Sequence, residues 1–314
     1  MEKTLKQLFD FFDIVDENGI SNLDKVRKYQ KILRRVETTD KNKSVEAVEN
    51  ENAVGDIPNG IIMENGKIIG LGIHIYNEDV YPLKSFEINL RNCDLIGALD
   101  ISDCTDMVFL DLYHNRITSV SSKNLPSMRI FGVQDNLIEQ LDVPGLPSCQ
   151  GIDAGMNRLK EIDVSRNPEL VELYINDNVF TQIDLSGNPK LKYFYCHNNR
   201  ITALDTRANP LLRHLNATGN PMKSIRSLAP QREERLLLEL YAGDGGCVGL
   251  KFNPVYNAQW KETGEWQQSY YAYPDEGFRF DGWYENGTKV SGEETWIDIY
   301  GTGRILQARF SAIP

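Results

Sequence analysis

Long apolar runs are missing from this 314-residue chain; none approaches the ~18 consecutive residues needed to span a bilayer as a helix. Positive charge is in deficit, with 34 Lys and Arg against 45 Asp and Glu and a formal net charge of −11. A surface this acidic repels phosphate backbones, which argues against broad nucleic-acid binding. Cysteine is sparse: five residues, widely spaced and without a CxxC pair. Neither a disulfide framework nor a zinc site is indicated. Catalytic signatures are missing too, with no P-loop, GxSxG, HExxH or dinucleotide fingerprint. Gly243-Asp244-Gly245-Gly246 lacks the Lys-Ser/Thr of a phosphate loop and reads as a β-turn. The chain therefore reads as a non-enzyme that needs no cofactor and no metal. The N-terminal MEKTLKQLFDFFD has no basic head, apolar core and small-residue cleavage site, so it does not read as a signal peptide.

What the sequence does contain is a repeat. Asn115, Asn136, Asn157, Asn178, Asn199 and Asn220 recur every 21 residues. Leu110-x-Leu112-x-x-Asn115-x-Ile117 returns as Phe131/Val133/Asn136/Ile138, and four more times in the same frame. An earlier copy, Ile88/Leu90/Cys93/Leu95, makes about seven. Pro126, Pro147, Pro168, Pro189 and Pro210 form a second ladder in phase with the first. The period-2 apolar pairs predict short strands with one buried face, stacked repeat on repeat as a parallel sheet. The asparagine side chain is expected to turn inward and bond backbone groups that the bend would otherwise bury unsatisfied. The Pro step favours an extended return. Twenty-one residues leave little room for a helix on the far side, so loop or 3-10 structure is expected there.

The frame LxxLxLxxNxIxxIDxSxNP, as in Leu170–Pro189, resembles the internalin-type class of bacterial leucine-rich repeats. Cys196 stands where one subgroup of that class has a cysteine in place of the strand leucine. The resemblance implies a mostly-β α/β-solenoid, a right-handed horseshoe with short parallel strands and a loop or 3-10 convex side. In the tail, GFRFDGWYENGTKVSGEETW followed by LQARF resembles the divergent internalin B-repeat, a small β-grasp-like module. Its markers are Gly277, Phe280, Gly282, Trp283, Tyr284, Asn286, Gly287 and Val290. Proteins of that kind are secreted or lie on the bacterial surface, whereas the leaderless N-terminus fits a cytoplasmic protein; both locations stay open.

The flanks complete a four-part reading. Residues 1–56 form a helical segment and acidic linker. Leu5, Leu8, Phe9 and Phe12 make one helical stripe. Leu23, Val26, Tyr29, Leu33 and Val36 make another, capped at Asn22. Residues 37–56 are polar and read as the linker. Asp16-Glu17-Asn18-Gly19 invites a calcium-loop reading, but counting back from the glycine puts Ile14 at the first ligand position, which excludes it. Residues 57–82 form an N-terminal cap with a hairpin at Asn65-Gly66. Residues 83–231 form the solenoid, and residues 232–314 a C-terminal β domain with a hairpin at Asn286-Gly287.

Residues beside the strand leucines point to the open face. There the sequence gathers Phe109, Asp111 and Tyr113, then Asp153, then Tyr174, Tyr193, Tyr195, His197, His214 and Asn216, with Gly132, Gly151 and Gly155 as a low floor. Tyrosine buries much area and keeps a polar tip, which favours it at binding hot spots. These ten residues are the expected partner-binding set. The expected partner is a protein, with a glycan or cell-wall polymer as the alternative and a cytoplasmic regulatory target as another. His197 and His214 lie on adjacent strands, yet no carboxylate obviously joins both, so no metal site is indicated.

Overall fold

The computed structural model describes residues 10–29, 32–37, 43–49, 59–64, 67–71, 90, 92–105, 107–231, 234–256, 262–293, 295–297 and 304–314. The chain divides into two compact units, Met1–Asn167 and Pro168–Pro314. The fold is a mostly-β solenoid with little helix.

Unit 1 opens with the helix α1 (Asn22–Tyr29). Ser21 caps it: Ser21 Oγ accepts from Asp24 N at 3.0 Å and donates to the Asp24 carboxylate at 2.8 Å. The first bond is an N-cap, and the second holds the hydroxyl in place. The sequence placed the cap at Asn22, whose side chain is instead fully buried. The Asp16–Gly19 stretch is a tight turn in which Asp16 Oδ1 accepts from Asn18 N and Ile20 N. Then come β1 (Ile32–Glu37), β2 (Lys43–Glu49), β3 (Asn59–Glu64) and β4 (Lys67–Leu71). Each pairs antiparallel with the next. Two sequence expectations fail here. The second helical stripe stops at Tyr29, with Leu33 and Val36 on a strand, and part of the presumed linker is β2. The reason is tertiary: Val45 and Ala47 alternate with Ser44 and Glu46, so the segment supplies a strand partner, and pairing overrides local propensity. The first stripe's Leu5, Leu8 and Phe9 lie outside the described residues, as do Asn65 and Gly66. The pairing Glu64↔Lys67 does close a hairpin across that step.

Further along lie β5 (Ile96–Asp100), β6 (Phe109–Asp111), β7 (Arg116–Ser121), β8 (Ile130–Gly132) and β9 (Gly151–Asp153). β6, β8 and β9 form the expected parallel stack, in a register that pairs Leu110 with Phe131 and Phe131 with Ile152. All three side chains are fully buried. The strand expected near residue 88 lies outside the described residues, and β4 pairs parallel with β6 through Gly70↔Phe109 and Leu71↔Leu110. Opposite the stack, β5 and β7 pair parallel and Val120 bridges to Leu141. That side of the coil thus carries strand as well as the expected turns.

Unit 2 continues with β10 (Glu172–Tyr174), β11 (Tyr193–Tyr195), β12 (Ala203–Asp205) and β13 (His214–Asn216). β10, β11 and β13 stack in parallel and align Leu173, Phe194 and Leu215, all buried. Together the two units hold six described coils. After them come β14 (Ser224–Gln231), β15 (Glu234–Ala242), β16 (Gly246–Tyr256) and β17 (Glu262–Pro274). The last strands are β18 (Phe278–Glu285), β19 (Thr288–Ser291), β20 (Thr295–Ile297) and β21 (Arg304–Ala312). These strands extend the sheets of the coil. β16 pairs antiparallel with β13 and is followed outward by β17 and β20. β14 pairs parallel with β12 and leads through β15, β21 and β18 to β19. The 231/232 boundary therefore falls inside the β14–β15 hairpin, and no helix occurs among the described residues beyond it. Trp283, fully buried, seals this end; it meets Tyr270 at 6.5 Å and Phe280 at 5.8 Å, both edge-on. Asn286 and Gly287, at φ 49° and 82°, make the expected turn between β18 and β19.

The asparagine ladder does what its spacing implies. Asn136 Nδ2 donates to Leu112 O, Val133 O and Gln134 O, and its Oδ1 accepts from Ile117 N. Each ladder asparagine follows a residue in the left-handed region: His114, Asp135, Met156, Asp177, Asn198 and Gly219, at φ between 52° and 65°. At Gly219 a Cβ would lie 2.3 Å from Asn198 Oδ1. Gly219→Ala is thus expected to destabilise unit 2 by about 1–2 kcal/mol from strain and crowding. Urea unfolding would measure this; a stabilised variant would contradict it.

Candidate functional site

The outward face of unit 2 carries two side-chain files set by strand register: Glu172, Tyr193 and His214 in one, and Tyr174, Tyr195 and Asn216 in the other. Strands about 4.8 Å apart bring these side chains into contact. Tyr193 stacks on His214 with ring centroids 4.4 Å apart and planes 15° apart. Tyr174 tilts against Tyr195 at 5.1 Å, and Tyr195 meets His197 edge-on at 6.4 Å. Tyr174, Tyr193, Tyr195, His197 and Asn216 are half-buried, so each leaves surface to the solvent.

His214 is 9% exposed, and burial pushes its pKa down to about 4, with Arg213 adding repulsion. His197 is also lowered, first by burial and then by Lys251, against an opposing pull from Asp177. Its Nε2 lies 3.8 Å from Asp177 Oδ2, while its Nδ1 is buried without a hydrogen-bond partner. The Asp177 carboxylate also accepts from Asn176 Nδ2 and Asn198 Nδ2, each at 2.8 Å. Asn216 Oδ1 accepts from Thr218 Oγ1 at 2.8 Å. Both histidines are therefore neutral near pH 7 and contribute flat surface rather than charge.

The sequence missed how this face continues. The pairings Asn216↔Lys251 and Lys251↔Ser269 carry the second file onto β16 and β17. Val248, Leu250 and Phe252 point inward and are fully buried, whereas Lys251 is exposed on the face. Gly249 shares that side; a Cβ there would lie 3.2 Å from the Tyr273 ring and 3.3 Å from Thr218 Cα. Tyr273 stacks parallel to Tyr271 at 6.0 Å and bonds the Gly219 backbone, and burial pushes its pKa up to about 12. The alternation in GCVGLKF signals a strand with one buried face. Which strand it joins is written nowhere in the local sequence.

In unit 1 the expected face residues are less open than the sequence implied. Phe109 and Asp111 are each 6% exposed and Asp153 8%. Asp111 Oδ1 accepts from Tyr113 N and Asp153 Oδ1 from Gly155 N, so both carboxylates serve the backbone. Tyr113 is half-buried, with His114 at 5.8 Å. Gly132, Gly151 and Gly155 are buried.

The thiols point away from nucleophilic chemistry. Cys93, Cys104, Cys149 and Cys196 are buried, and Cys247 is half-buried. Burial pushes Cys93 and Cys149 up to about 12, the opposite of activation. Among the described residues no group of three or more His, Cys, Asp or Glu could hold a metal ion. Nor is any described helix long and apolar enough to cross a membrane.

No protein-family model and no curated protein sequence matches the chain. Among solved structures it is similar to the functional domain of InlJ from Listeria monocytogenes, which includes a cysteine ladder. That match has 14% identity, covers 66% of this chain and 56% of that one, and has a TM-score of 0.31. The internalin InlF from Listeria monocytogenes shows 16% identity over 50% of this chain and 62% of that one, with a TM-score of 0.30. YopM, a leucine-rich effector protein from Yersinia pestis, shows 18% identity over 52% and 56%, with a TM-score of 0.34. The chain thus spans between 56% and 62% of the length of these structures. The solenoid assignment here rests on the strand register described above.

Proposed function

We propose that the chain is a non-catalytic binding protein that presents the tyrosine face of β10, β11 and β13 to a protein partner. In this reading residues 83–231 supply the recognition scaffold, residues 57–82 open it, and residues 232–314 close it and lend Lys251 to the face. The first 56 residues precede it as a packing element. The setting that suits such a chain is the surface of a bacterium or its contact with a host.

The carrying observation is the two ring pairs Tyr193–His214 and Tyr174–Tyr195 on the outer side of a three-strand stack, with the three tyrosines half-buried and His214 buried beneath Tyr193. Cross-strand stacking alone is stabilising, so these rings contribute to the sheet even without a partner. The second purpose is supported by composition. Apart from the buried Glu172, the two files on β10, β11 and β13 hold no carboxylate, on a chain with net charge −11. Depletion of charge around aromatic side chains is the pattern of a protein interface core.

The test replaces Tyr195 by a photocrosslinking amino acid in the full chain, with Tyr284 on β18 as the comparison position. Capture is then carried out from native lysate and from host-cell surface extract. A protein crosslinked at 195 and not at 284 identifies the partner. Tyr193→Ala with Tyr195→Ala is expected to weaken that complex at least tenfold, about 1.4 kcal/mol or more. Unchanged affinity in a variant with an unchanged melting curve would rule the face out.

A further inference from the structure

Among the described residues, strand β5 has β7 on one side, and the side chain of Asn22 bonds it on the other. Ile96 N donates to Asn22 Oδ1 at 3.0 Å, and Asn22 Nδ2 donates to Ile96 O at 2.9 Å. These are the two bonds that a neighbouring strand would exchange with Ile96 in a sheet. The same Nδ2 donates to Phe11 O at 2.9 Å, and Asn22 N to Ile14 O at 2.8 Å, so the amide is locked in place by its own segment. Three residues on, Lys25 is 2% exposed; its Nζ donates to Asp94 O at 3.0 Å and pairs with Asp16 at 3.0 Å. Asp94 is held in turn by Arg116, which pairs with it from the neighbouring repeat. Ile14 completes the dock: a Cβ at Gly97, where φ is +88°, would lie 2.9 Å from Ile14 Cδ1.

We propose that residues 10–25 act as an edge guard, in which Asn22 serves as a one-residue surrogate strand that blocks strand addition at β5. The argument is one of satisfaction and shape. The Ile96 carbonyl and amide are part-buried, and having both bonded at this edge is stabilising. A backbone strand there would offer its own second edge to further pairing and only move the problem outward. A side-chain amide satisfies both groups of Ile96 without presenting a second backbone edge. The polar character of the dock is part of the design. Asn22 and Lys25 are buried by specific bonds, so the guard fits at one register only, and a slip by one residue would part Lys25 from Asp94 O and Asn22 from Ile96. If the guard is removed, the edge that Asn22 covered is open to another strand of the same kind. Gly97 and Ala98 make that edge narrow enough for an identical strand to approach in a two-fold antiparallel pairing.

The experiment compares the full chain with its Asn22→Ala/Lys25→Ala variant by amide hydrogen exchange and analytical ultracentrifugation. Exchange at the Ile96 amide is expected to rise at least a hundredfold. The variant is also expected to show concentration-dependent dimers beyond the wild-type level. Adding Ala98→Lys, which sets a charge on the opened edge, should return the dimer fraction to the wild-type value. Should the double variant lose its β-sheet circular dichroism, Asn22→Asp alone is the second probe. It keeps the acceptor for Ile96 N–H and loses the donor to Ile96 O, so partial opening is expected. Unchanged exchange at Ile96 overturns the surrogate-strand role, and raised exchange without self-association overturns the guard.

Discussion

Asn199→Ala is expected to lower the stability of unit 2 by about 3–5 kcal/mol, the largest single effect among the positions considered. The side chain is 7% exposed and fully engaged. Its Nδ2 donates to Ile175 O at 2.8 Å, Cys196 O at 3.1 Å and His197 O at 3.3 Å, while its Oδ1 accepts from Phe180 N at 3.0 Å. Alanine removes all four bonds and leaves backbone groups of two successive repeats buried with no water to replace the amide. An unmade bond to a buried group costs about 1–3 kcal/mol, and the Phe180 N–H loses its acceptor outright. Relaxation of the bend recovers some of this, which sets the lower bound. Asn199→Asp is the informative companion. It keeps the acceptor for Phe180 N–H but turns a carboxylate toward three carbonyls, so it should be at least as damaging. Urea unfolding followed by circular dichroism measures both variants. A loss below about 1 kcal/mol for alanine would mean that the strand register, and not the ladder, sets the coil. Because each repeat leans on its neighbours, the damage should spread from β11 toward β13 instead of staying local.

The ladder and the six strands could be read from the sequence because everything they need lies within one 21-residue frame. Leu173, Phe194 and Leu215 align through a period that the chain states openly. Three features escaped for different reasons. The strands β1 and β2 are specified by each other, and a segment such as KSVEAVE reads as a polar linker until it is paired with β1. The joining of β16 to β13 is likewise a pairing choice, one that brings Lys251 and Tyr273 to a face whose expected residues end at Asn216. The third feature was present and overlooked. Asn167, Asn188 and Asn209 precede three of the ladder prolines, are fully buried, and form a second asparagine file. Asn209 Nδ2 donates to Leu185 O and Asn188 O, tying one coil to the one before it. The prolines stiffen the return, while the asparagine before Pro168 and Pro210 bonds the backbone of the preceding coil. The open face was also overestimated. Alternation predicts which way a side chain points but not how much of it its neighbours cover, and Phe109, Asp111, Asp153 and His214 all point outward and are still buried.

His214 turns that last point into a pH dependence. Its folded pKa of about 4 lies below the ordinary histidine value of 6.5, with burial as the main cause and Arg213 as the second. Tyr193 lies flat against the ring at 4.4 Å, and Lys251 stands on the next strand beside Asn216. Between pH 6.5 and about 4 the unfolded chain therefore binds a proton that the folded chain refuses. Stability from this residue is fully present above pH 6.5 and falls as the pH drops toward 4. At about 1.4 kcal/mol per pH unit over that window the ceiling is about 3–4 kcal/mol, and the residual solvent contact of the ring brings the expected loss to about 2–3 kcal/mol. His197 is shifted in the same direction and adds to the slope. His214→Phe keeps a flat ring against Tyr193 and cannot take up the proton, so it should flatten the curve while leaving stability near pH 7 within about 1 kcal/mol of the parent. Chemical denaturation at a series of pH values between 7 and 4 tests both halves of the argument. A parent chain with constant stability across that range would show that the ring accepts its proton in place, with the face opening to water around it.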